Sequence, residues 1–202
     1  EHSKFGFTNT SYQGRNSETG KPMTLTCTAP VQIVHYPAKT FESLPDLELK
    51  LDYDFNYLAV AQQGPRKNIE NTIKWFIEEN IDQKVGLVVK TFIKNGSIVD
   101  REHTENMLRV TLAKYADRKC KVYLLHGDLT DAEMHSLYKH PQIKAMVSLT
   151  HGEGYGLPLF EASYSGLPVI APGWSGQCDF LYAPSQGSKK KKGGNKKHPY
   201  FA

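Results

Sequence analysis

The sequence predicts an α/β fold built on a Rossmann-like parallel sheet with helices on both faces. Short apolar segments alternate with amphipathic segments of helical length between Tyr57 and Ala171, which is typical of repeated strand–helix–strand units. The strand candidates are nearly continuous in Val, Leu, Ile and Ala, as expected for strands that helices cover on both faces. At one strand-to-helix transition, three glycines precede Pro158, and proline favours the first turn of a helix.

Five strands are predicted where a short apolar run is bounded by polar or turn residues. These segments are 57–61, 85–89, 122–125, 145–149 and 169–171. In a parallel sheet of this kind, ligands bind at the carboxyl ends of the strands. We therefore expect the functional site in the loops that follow Ala61, Lys90, Leu125, Leu149 and Ala171.

Four helices are predicted to connect these strands, at 68–80, at 101–115, between Thr130 and Pro141, and at 158–165. In the first helix, Ile69, Ile73 and Phe76 recur on one face, as in an amphipathic helix. The third begins with Thr130 followed three residues later by Glu133, which is the spacing of a capping box. Helical connections of this length favour parallel strands over hairpins.

The flanking segments lack this alternation. Residues 4–30 are polar and rich in Gly, Ser, Thr and Asn, which predicts a loop, and residues 31–35 alternate like a strand. Residues 44–54 are charged and interrupted by proline, as in a linker between domains. Residues 185–197 are of low complexity, which predicts a mobile tail.

Composition and charge narrow the class of protein. Hydrophobic residues make up 39% and charged residues 23%, as in a globular protein. The net charge of +4 comes from residues 185–202, which contain six lysines and no acidic residue, so the rest of the chain is net negative. This distribution disfavours a nucleic-acid partner and favours a solvated tail. The sequence shows neither a bilayer-length apolar run nor a secretory signal, and its three widely spaced cysteines favour a reducing, cytoplasmic location, with membrane contact left open.

The loop after the fourth predicted strand is suited to a sugar diphosphate. Three alternating glycines in segment 150–158 let the backbone approach a ligand closely, and the free amides of the following helix attract an anion. Glu153 and Glu161, with seven residues between them, would repel phosphate but can accept hydrogen bonds from hydroxyl groups on either side of it. A tight strand-to-helix connection without a ligand is the alternative that the glycines alone leave open.

Segments 151–162 (HGEGYGLPLFEA) and 165–171 (SGLPVIA) resemble the glutamate-x7-glutamate signature of the retaining glycosyltransferases of family 4, which have the GT-B fold. The resemblance implies that Glu153 contacts the donor sugar and that Glu161 binds the ribose hydroxyls. The predicted sheet would then be the C-terminal half of a GT-B fold, which binds the nucleotide sugar.

Four residues between these glutamates are also expected to bind the donor. The resemblance implies that backbone amides near Gly156 and Leu157 meet the phosphates. Gly154 and Tyr155 belong to the same signature and are expected to line the donor site. Donor binding by these residues does not require a metal ion.

Segment 57–69 resembles the family's first strand and basic loop, where an arginine and a lysine neutralise the diphosphate. Lys67 falls at the lysine position, whereas Gln62 occupies the usual arginine position, so Arg66 is expected to supply that charge. A solvated pair of cations is the non-functional alternative, but cations beside a helix start oppose the helix dipole. The predicted catalytic residues are therefore Glu153, Lys67 and Arg66.

Two further residues are expected on the nucleoside side of the crevice. Segment 125–131 resembles the segment that lines the base pocket, so His126 is expected to contact the donor, with a structural role as the alternative. Thr91 ends the second strand with Lys90 and is expected to line the same crevice, with an ordinary surface role as the alternative.

The resemblance also implies the reaction and the domain organisation. It implies a retaining, metal-independent transferase of hexosyltransferase type, with a nucleotide diphosphate sugar as donor substrate, no cofactor and an unidentified glycan, lipid or protein acceptor. Residues 1–45 would be the remnant of an N-terminal domain and its crossover, 46–184 the nucleotide-sugar-binding domain and 185–202 a lysine-rich flexible tail. Because the acceptor generally binds the other domain, the isolated chain is expected not to transfer sugar.

Two other functions remain as alternatives. A non-catalytic nucleotide-sugar-binding module would hold the donor in the same way, and turnover by the complete protein would separate it from an enzyme. A dinucleotide-dependent oxidoreductase would use the glycine run, but that fingerprint belongs after the first strand, with an acidic residue ending the second. Here the run follows the fourth strand and the second ends at Lys90 and Thr91, which disfavours this class.

Overall fold

The computed structural model describes residues 10–27, 36–184 and 197–199. Its N-terminal part is a β-hairpin. Strands β1 (Thr10–Arg15) and β2 (Pro22–Cys27) pair antiparallel, where the sequence predicted a loop. The turn explains the difference, because the Asn16 side chain accepts hydrogen bonds from two following amides and Gly20 adopts a positive φ of 65°. The strand predicted at 31–35 lies outside the described residues.

A separate unit begins at Thr40 and contains a five-stranded parallel sheet, which confirms the predicted α/β fold. Its strands are β3 (Asn56–Gln62), β4 (Gly86–Phe92), β5 (Lys121–Leu125), β6 (Ile143–Val147) and β7 (Val169–Ile170). The connecting helices are α1 (Ile69–Asn80), α2 (Ile98–Ala113), α3 (Asp131–Tyr138) and α4 (Leu157–Tyr164). The spatial order β5-β4-β3-β6-β7 is that of a Rossmann-like sheet.

Side-chain hydrogen bonds determine where two of the helices begin. Helix α2 starts three residues before its predicted start, because the Ser97 side chain accepts a hydrogen bond from the Asp100 amide and caps it. Helix α3 has the predicted capping box, in which Thr130 and Glu133 bond reciprocally. The capping-box prediction is therefore confirmed.

The sheet is buried on both faces, as its apolar strands predicted. Val88 and Val89 are adjacent on β4 but belong to different hydrophobic clusters, because side chains alternate across a strand. One cluster includes Phe76 of α1, and the other includes Leu137 of α3 and Leu159 of α4. These three side chains are at most 2% exposed. The helices therefore cover opposite faces and leave the strand ends open for a site.

The predicted linker is irregular in structure but packs against the sheet domain. Leu47, Leu49 and Leu51 are partly buried against the cluster beneath α3 and α4. The Ser136 hydroxyl donates a hydrogen bond to the Pro45 carbonyl at 2.6 Å. Leucines at alternate positions thus attach this segment to the domain in spite of its charge.

Three short elements near the C-terminus were not predicted. Helix α5 (Cys178–Leu181) leads into β8 (Tyr182–Pro184), which pairs antiparallel with β9 (Lys197–Pro199). Lys197 therefore lies in a strand, whereas the rest of the predicted mobile segment, 185–196, lies outside the described residues. Within the described part of the chain, no helix has the length and apolar character needed to cross a membrane.

Candidate functional site

The strand order identifies one place where a ligand crevice can form. Strands β3 and β6 are neighbours, but the helices that follow them pack on opposite faces of the sheet. Their loops therefore diverge and leave a crevice at the carboxyl ends, which is the topological switch point of such a sheet. The two loops here are the β3–α1 loop (residues 63–68) and the β6–α4 loop (residues 148–156).

Hydrogen bonds join these two loops into one wall of the crevice. The carbonyl of Arg66 accepts from the His151 amide at 2.8 Å and from the Thr150 hydroxyl at 3.2 Å. The Asn68 side chain donates to the Leu149 carbonyl at 2.9 Å, and its own backbone is left-handed, with φ 57°. The backbone around the basic residues is thus positioned by the neighbouring loop.

The three predicted catalytic residues meet at this wall and form a charge cluster of Arg66, Lys67 and Glu153. Lys67 Nζ lies 2.6 and 2.8 Å from the two Glu153 carboxylate oxygens, and Arg66 lies 3.1 Å from one of them. The side chain of Glu153 is 10% exposed and that of Lys67 is 20% exposed, whereas that of Arg66 is 58% exposed. The cluster carries a net positive charge and is accessible from the Arg66 side.

The ionised form of Glu153 is stabilised by its partners. Burial would raise the pKa of this carboxyl, but the hydrogen bonds from Lys67 and Arg66 outweigh burial and lower the pKa below its ordinary value. Glu153 therefore carries a full negative charge near neutral pH, and it can accept hydrogen bonds from hydroxyl groups.

The backbone of Glu153 is held by the loop after β7, which sequence reasoning missed. The Ser175 hydroxyl accepts from the Glu153 amide at 3.0 Å and donates to the Glu153 carbonyl at 2.8 Å. The Gly176 amide donates to the same carbonyl at 3.0 Å, and a Cβ on Gly176 would lie 2.0 Å from the Gly154 carbonyl oxygen. The loop after Ala171 was among those expected to form the site, but no residue in it was singled out.

The start of α4 lies beside the charge cluster. Gly156 precedes the helix with a left-handed φ of 89°, and a Cβ there would come within 3.6 Å of Leu159, Gln177 and Glu153 side-chain atoms. No described side chain caps this helix start. The Leu157 amide is therefore in position to bind an anion, whereas Pro158 has no N–H to donate.

Glu161 lies within α4, and Tyr155 lies in the loop just before it. The Tyr138 hydroxyl donates to one Glu161 oxygen at 3.2 Å, and burial together with this carboxylate raises the pKa of Tyr138 above its ordinary value. The Tyr155 ring packs against Phe160 and Phe180, with centroids 5.5 and 5.1 Å away. The structure thus orients Glu161 through a neutral phenol and holds Tyr155 by aromatic contacts.

His126 and Thr91 lie at the ends of β5 and β4, on the other side of β3. His126 Nε2 lies 2.7 Å from an oxygen of Asp100, and the Thr91 hydroxyl donates to the Ala61 carbonyl at 2.7 Å. Neither hydrogen-bonds to the charge cluster within the described part of the chain. Thr91 does line a groove of about 770 Å³ between α1 and α2, and His151 of the crevice wall lines the same groove.

The Ser175 contact gives a first prediction. Ser175 adopts a left-handed φ of 78°, and Ser175→Ala removes its two hydrogen bonds to the Glu153 backbone. Each bond contributes about 1 kcal/mol, so we expect chemical denaturation to show a loss of about 2 kcal/mol in the free energy of unfolding. Ser163→Ala, which removes one bond to Phe160 within α4, is the control and should cost less. Equal losses in the two variants would show that the Ser175 contact contributes nothing particular.

Comparisons with known proteins found relatives in sequence. No protein-family model matches the chain. In sequence it is similar to the sucrose-phosphate synthase of Spinacia oleracea, with 25% identity over 132 residues, and to a probable sucrose-phosphate synthase 4 of Oryza sativa subsp. japonica, with 26% over 130 residues. These matches cover 61% and 60% of the chain. They span only 12% of the length of each of these curated relatives.

Solved structures with a similar chain path include an E. coli trehalose-6-phosphate structure bound with UDP-2-fluoro glucose, at a TM-score of 0.49 and 13% identity, covering 63% of this chain and 31% of the other. Another is the C-terminal domain of a glycosyl transferase group 1 family protein from Francisella tularensis, at a TM-score of 0.44 and 18% identity, covering 60% of both chains. The chain is thus similar in sequence to sucrose-phosphate synthases, and its own five-stranded parallel sheet identifies the fold as α/β.

Proposed function

We propose that this chain is the donor-binding part of a retaining, metal-independent glycosyltransferase of the family 4 type. Such an enzyme would transfer a sugar from a nucleotide diphosphate sugar to an acceptor. The observation that supports the proposal best is the convergence of Arg66, Lys67 and Glu153 beside the uncapped start of α4 at the switch point of the sheet. Cations, free amides and a hydroxyl acceptor are the groups that a sugar diphosphate needs.

From the charge of each side chain, we assign different parts of the donor to different residues. The diphosphate would lie between the basic pair, Arg66 and Lys67, and the amide of Leu157. Glu153 would accept hydrogen bonds from the sugar hydroxyls, because a carboxylate repels phosphate but accepts from hydroxyl groups. Glu161, oriented by Tyr138, would accept from the ribose hydroxyls in the same way.

The remaining predicted residues complete the proposed site. Gly154 and Gly156 would allow the backbone to approach the diphosphate. Tyr155 packs against Phe160 of α4, beside this backbone. Thr91 and His126 lie at the strand ends on the far side of β3, where the nucleoside would extend.

The arrangement suits the departure of a phosphate leaving group. Negative charge develops on the departing diphosphate during transfer, and donors that are already in place stabilise it without reorganisation. The Glu153 carboxylate holds Lys67, and the β6–α4 loop holds the Arg66 backbone, so both residues lie at the crevice, where an incoming diphosphate would exchange with the carboxylate. Glu153 would serve to orient the sugar.

Titration calorimetry with UDP-glucose, ADP-glucose and GDP-mannose, each with and without EDTA, tests this proposal. We expect at least one nucleotide sugar to bind, with a Kd unaffected by the chelator, and the matching nucleoside monophosphate to bind more weakly because it lacks the second phosphate. Loss of binding in EDTA would contradict metal independence. Failure of all three donors to bind would contradict the donor-binding role.

A further inference from the structure

A buried carboxylate ties together the loops at the ends of β4 and β5. Asp100, the third residue of α2, accepts backbone hydrogen bonds from Ile93, Lys94 and Asn95 at 3.0, 2.6 and 3.1 Å. The same carboxylate lies 2.7 Å from His126 Nε2, at the end of β5. Four donors from two loops therefore converge on one side chain.

Both members of this pair are shielded from water. The Asp100 side chain is 6% exposed and the His126 side chain 4%. Burial would raise the pKa of Asp100, but the hydrogen bonds from His126 and the three amides hold it far below its ordinary value. Asp100 is therefore ionised and accepts only, so His126 Nε2 must carry the proton that it donates.

Other contacts join the same two loops. Lys90 Nζ, at the end of β4, donates to the Gly127 carbonyl. A Cβ on Gly96 would lie 3.2 Å from an Asp128 carboxylate oxygen and 3.5 Å from the Gly127 Cα. The β4–α2 loop (residues 93–97) and the β5–α3 loop (residues 126–130) thus form one packed edge.

We propose that Asp100 and His126 are a positioning pair that holds these two loops in the shape that receives the nucleoside of the donor. The inference rests on the proposed function, which places the diphosphate at the switch point between β3 and β6. Because β4 and β5 lie beyond β3 in the sheet, the rest of the nucleotide meets these loops when it extends in that direction. Neither side chain needs to touch the ligand, and both act through the backbone that they hold.

The chemistry of the pair favours positioning over simple stabilisation. A buried carboxylate contributes little net stability compared with an apolar residue of similar volume, because desolvation offsets its hydrogen bonds. Directional bonds to three consecutive amides, however, define one loop conformation. Such a preorganised loop lowers the cost of ordering a ligand on it.

The test compares two ligands on four variants of the pair and one control variant. Binding of UDP, or of whichever nucleoside diphosphate the wild type prefers, and of inorganic pyrophosphate is measured by calorimetry on wild type, Asp100→Ala, Asp100→Asn, His126→Ala and His126→Gln. We expect Asp100→Ala and His126→Ala to weaken nucleoside diphosphate binding about tenfold or more, with pyrophosphate binding within about twofold of wild type. His126→Gln, whose amide can donate to Asp100, should recover most of the affinity, and Asp100→Asn should be intermediate. Asp117→Ala, an exposed aspartate after α2, is the control.

Each outcome bears on a separate claim. Retained pyrophosphate binding shows that a variant is folded, and amide hydrogen exchange at Lys94 and Asn95 should become faster in both Asp100 variants. Unchanged nucleoside diphosphate affinity in Asp100→Ala, or parallel losses for both ligands, would overturn the positioning role alone. A wild type that binds pyrophosphate but no nucleotide would overturn the proposed function and, with it, this inference.

Discussion

Replacing Lys67 with alanine should weaken binding of a nucleoside diphosphate roughly ten- to a hundredfold. A charge-assisted hydrogen bond contributes about 1.5 to 3 kcal/mol, and every 1.4 kcal/mol is about tenfold in Kd. The loss should lie toward the upper end, because Glu153 would keep its charge with Arg66 as its remaining cation and would then repel the phosphates. Calorimetry with the diphosphate and with pyrophosphate would measure the change.

The matched control is Lys84→Ala. Lys84 is exposed and lies just before β4, at the amino edge of the sheet and opposite to the crevice. The same charge is removed there, so a general effect of net charge would appear in both variants. If the two variants bound the diphosphate equally well, the location of the anion site would be wrong.

Replacing Glu153 with glutamine should have the opposite effect on phosphate binding. In the structure the Glu153 carboxylate hydrogen-bonds to both cations, so an incoming diphosphate must compete with it. Unit charges a few ångströms apart near a protein surface interact by about 4 kcal/mol before further screening. We expect pyrophosphate and the nucleoside diphosphate to bind roughly tenfold more tightly to the variant.

The same variant should lose discrimination in favour of the sugar. If Glu153 accepts hydrogen bonds from the sugar hydroxyls, the ratio of the Kd of the nucleoside diphosphate to that of the nucleotide sugar should fall in Glu153→Gln. Glu79→Gln, an exposed change of equal charge near the end of α1, should leave both constants unchanged. Weaker pyrophosphate binding by Glu153→Gln would contradict the competition between the carboxylate and the phosphates.

Local patterns in the sequence determined the architecture of the sheet domain. Apolar strands alternating with amphipathic helices were sufficient to predict five parallel strands, because burial on both faces leaves a continuous apolar run. The capping box of Thr130 and Glu133 was also predictable from the sequence, because both residues lie within one helical turn. The hairpin at 10–27 was predicted as a loop, because its polar sequence shows no hydrophobic periodicity. Its turn depends instead on Asn16 and Gly20.

The residues of the charge cluster were also named from the sequence, but their contacts were not. Lys67 and Glu153 are 86 positions apart, and they meet because β3 and β6 are neighbours in space. Strand order is a property of the whole sheet, so no local pattern shows which loops converge. For that reason the competition between Glu153 and a phosphate became visible only in the folded chain.

The sequence by itself determined the alternation of strands and helices, the glycine-rich start of α4 and the residue types suited to a sugar diphosphate. Only the tertiary structure decided which side chains hold these site residues in place. Ser175 reaches Glu153 from 22 residues away, and Asp100 meets His126 from 26 residues away. The hydrophobic periodicity of a segment indicates which of its own residues are buried, so it can be recognised from that segment alone. A polar contact between distant residues depends instead on the packing that brings two loops together.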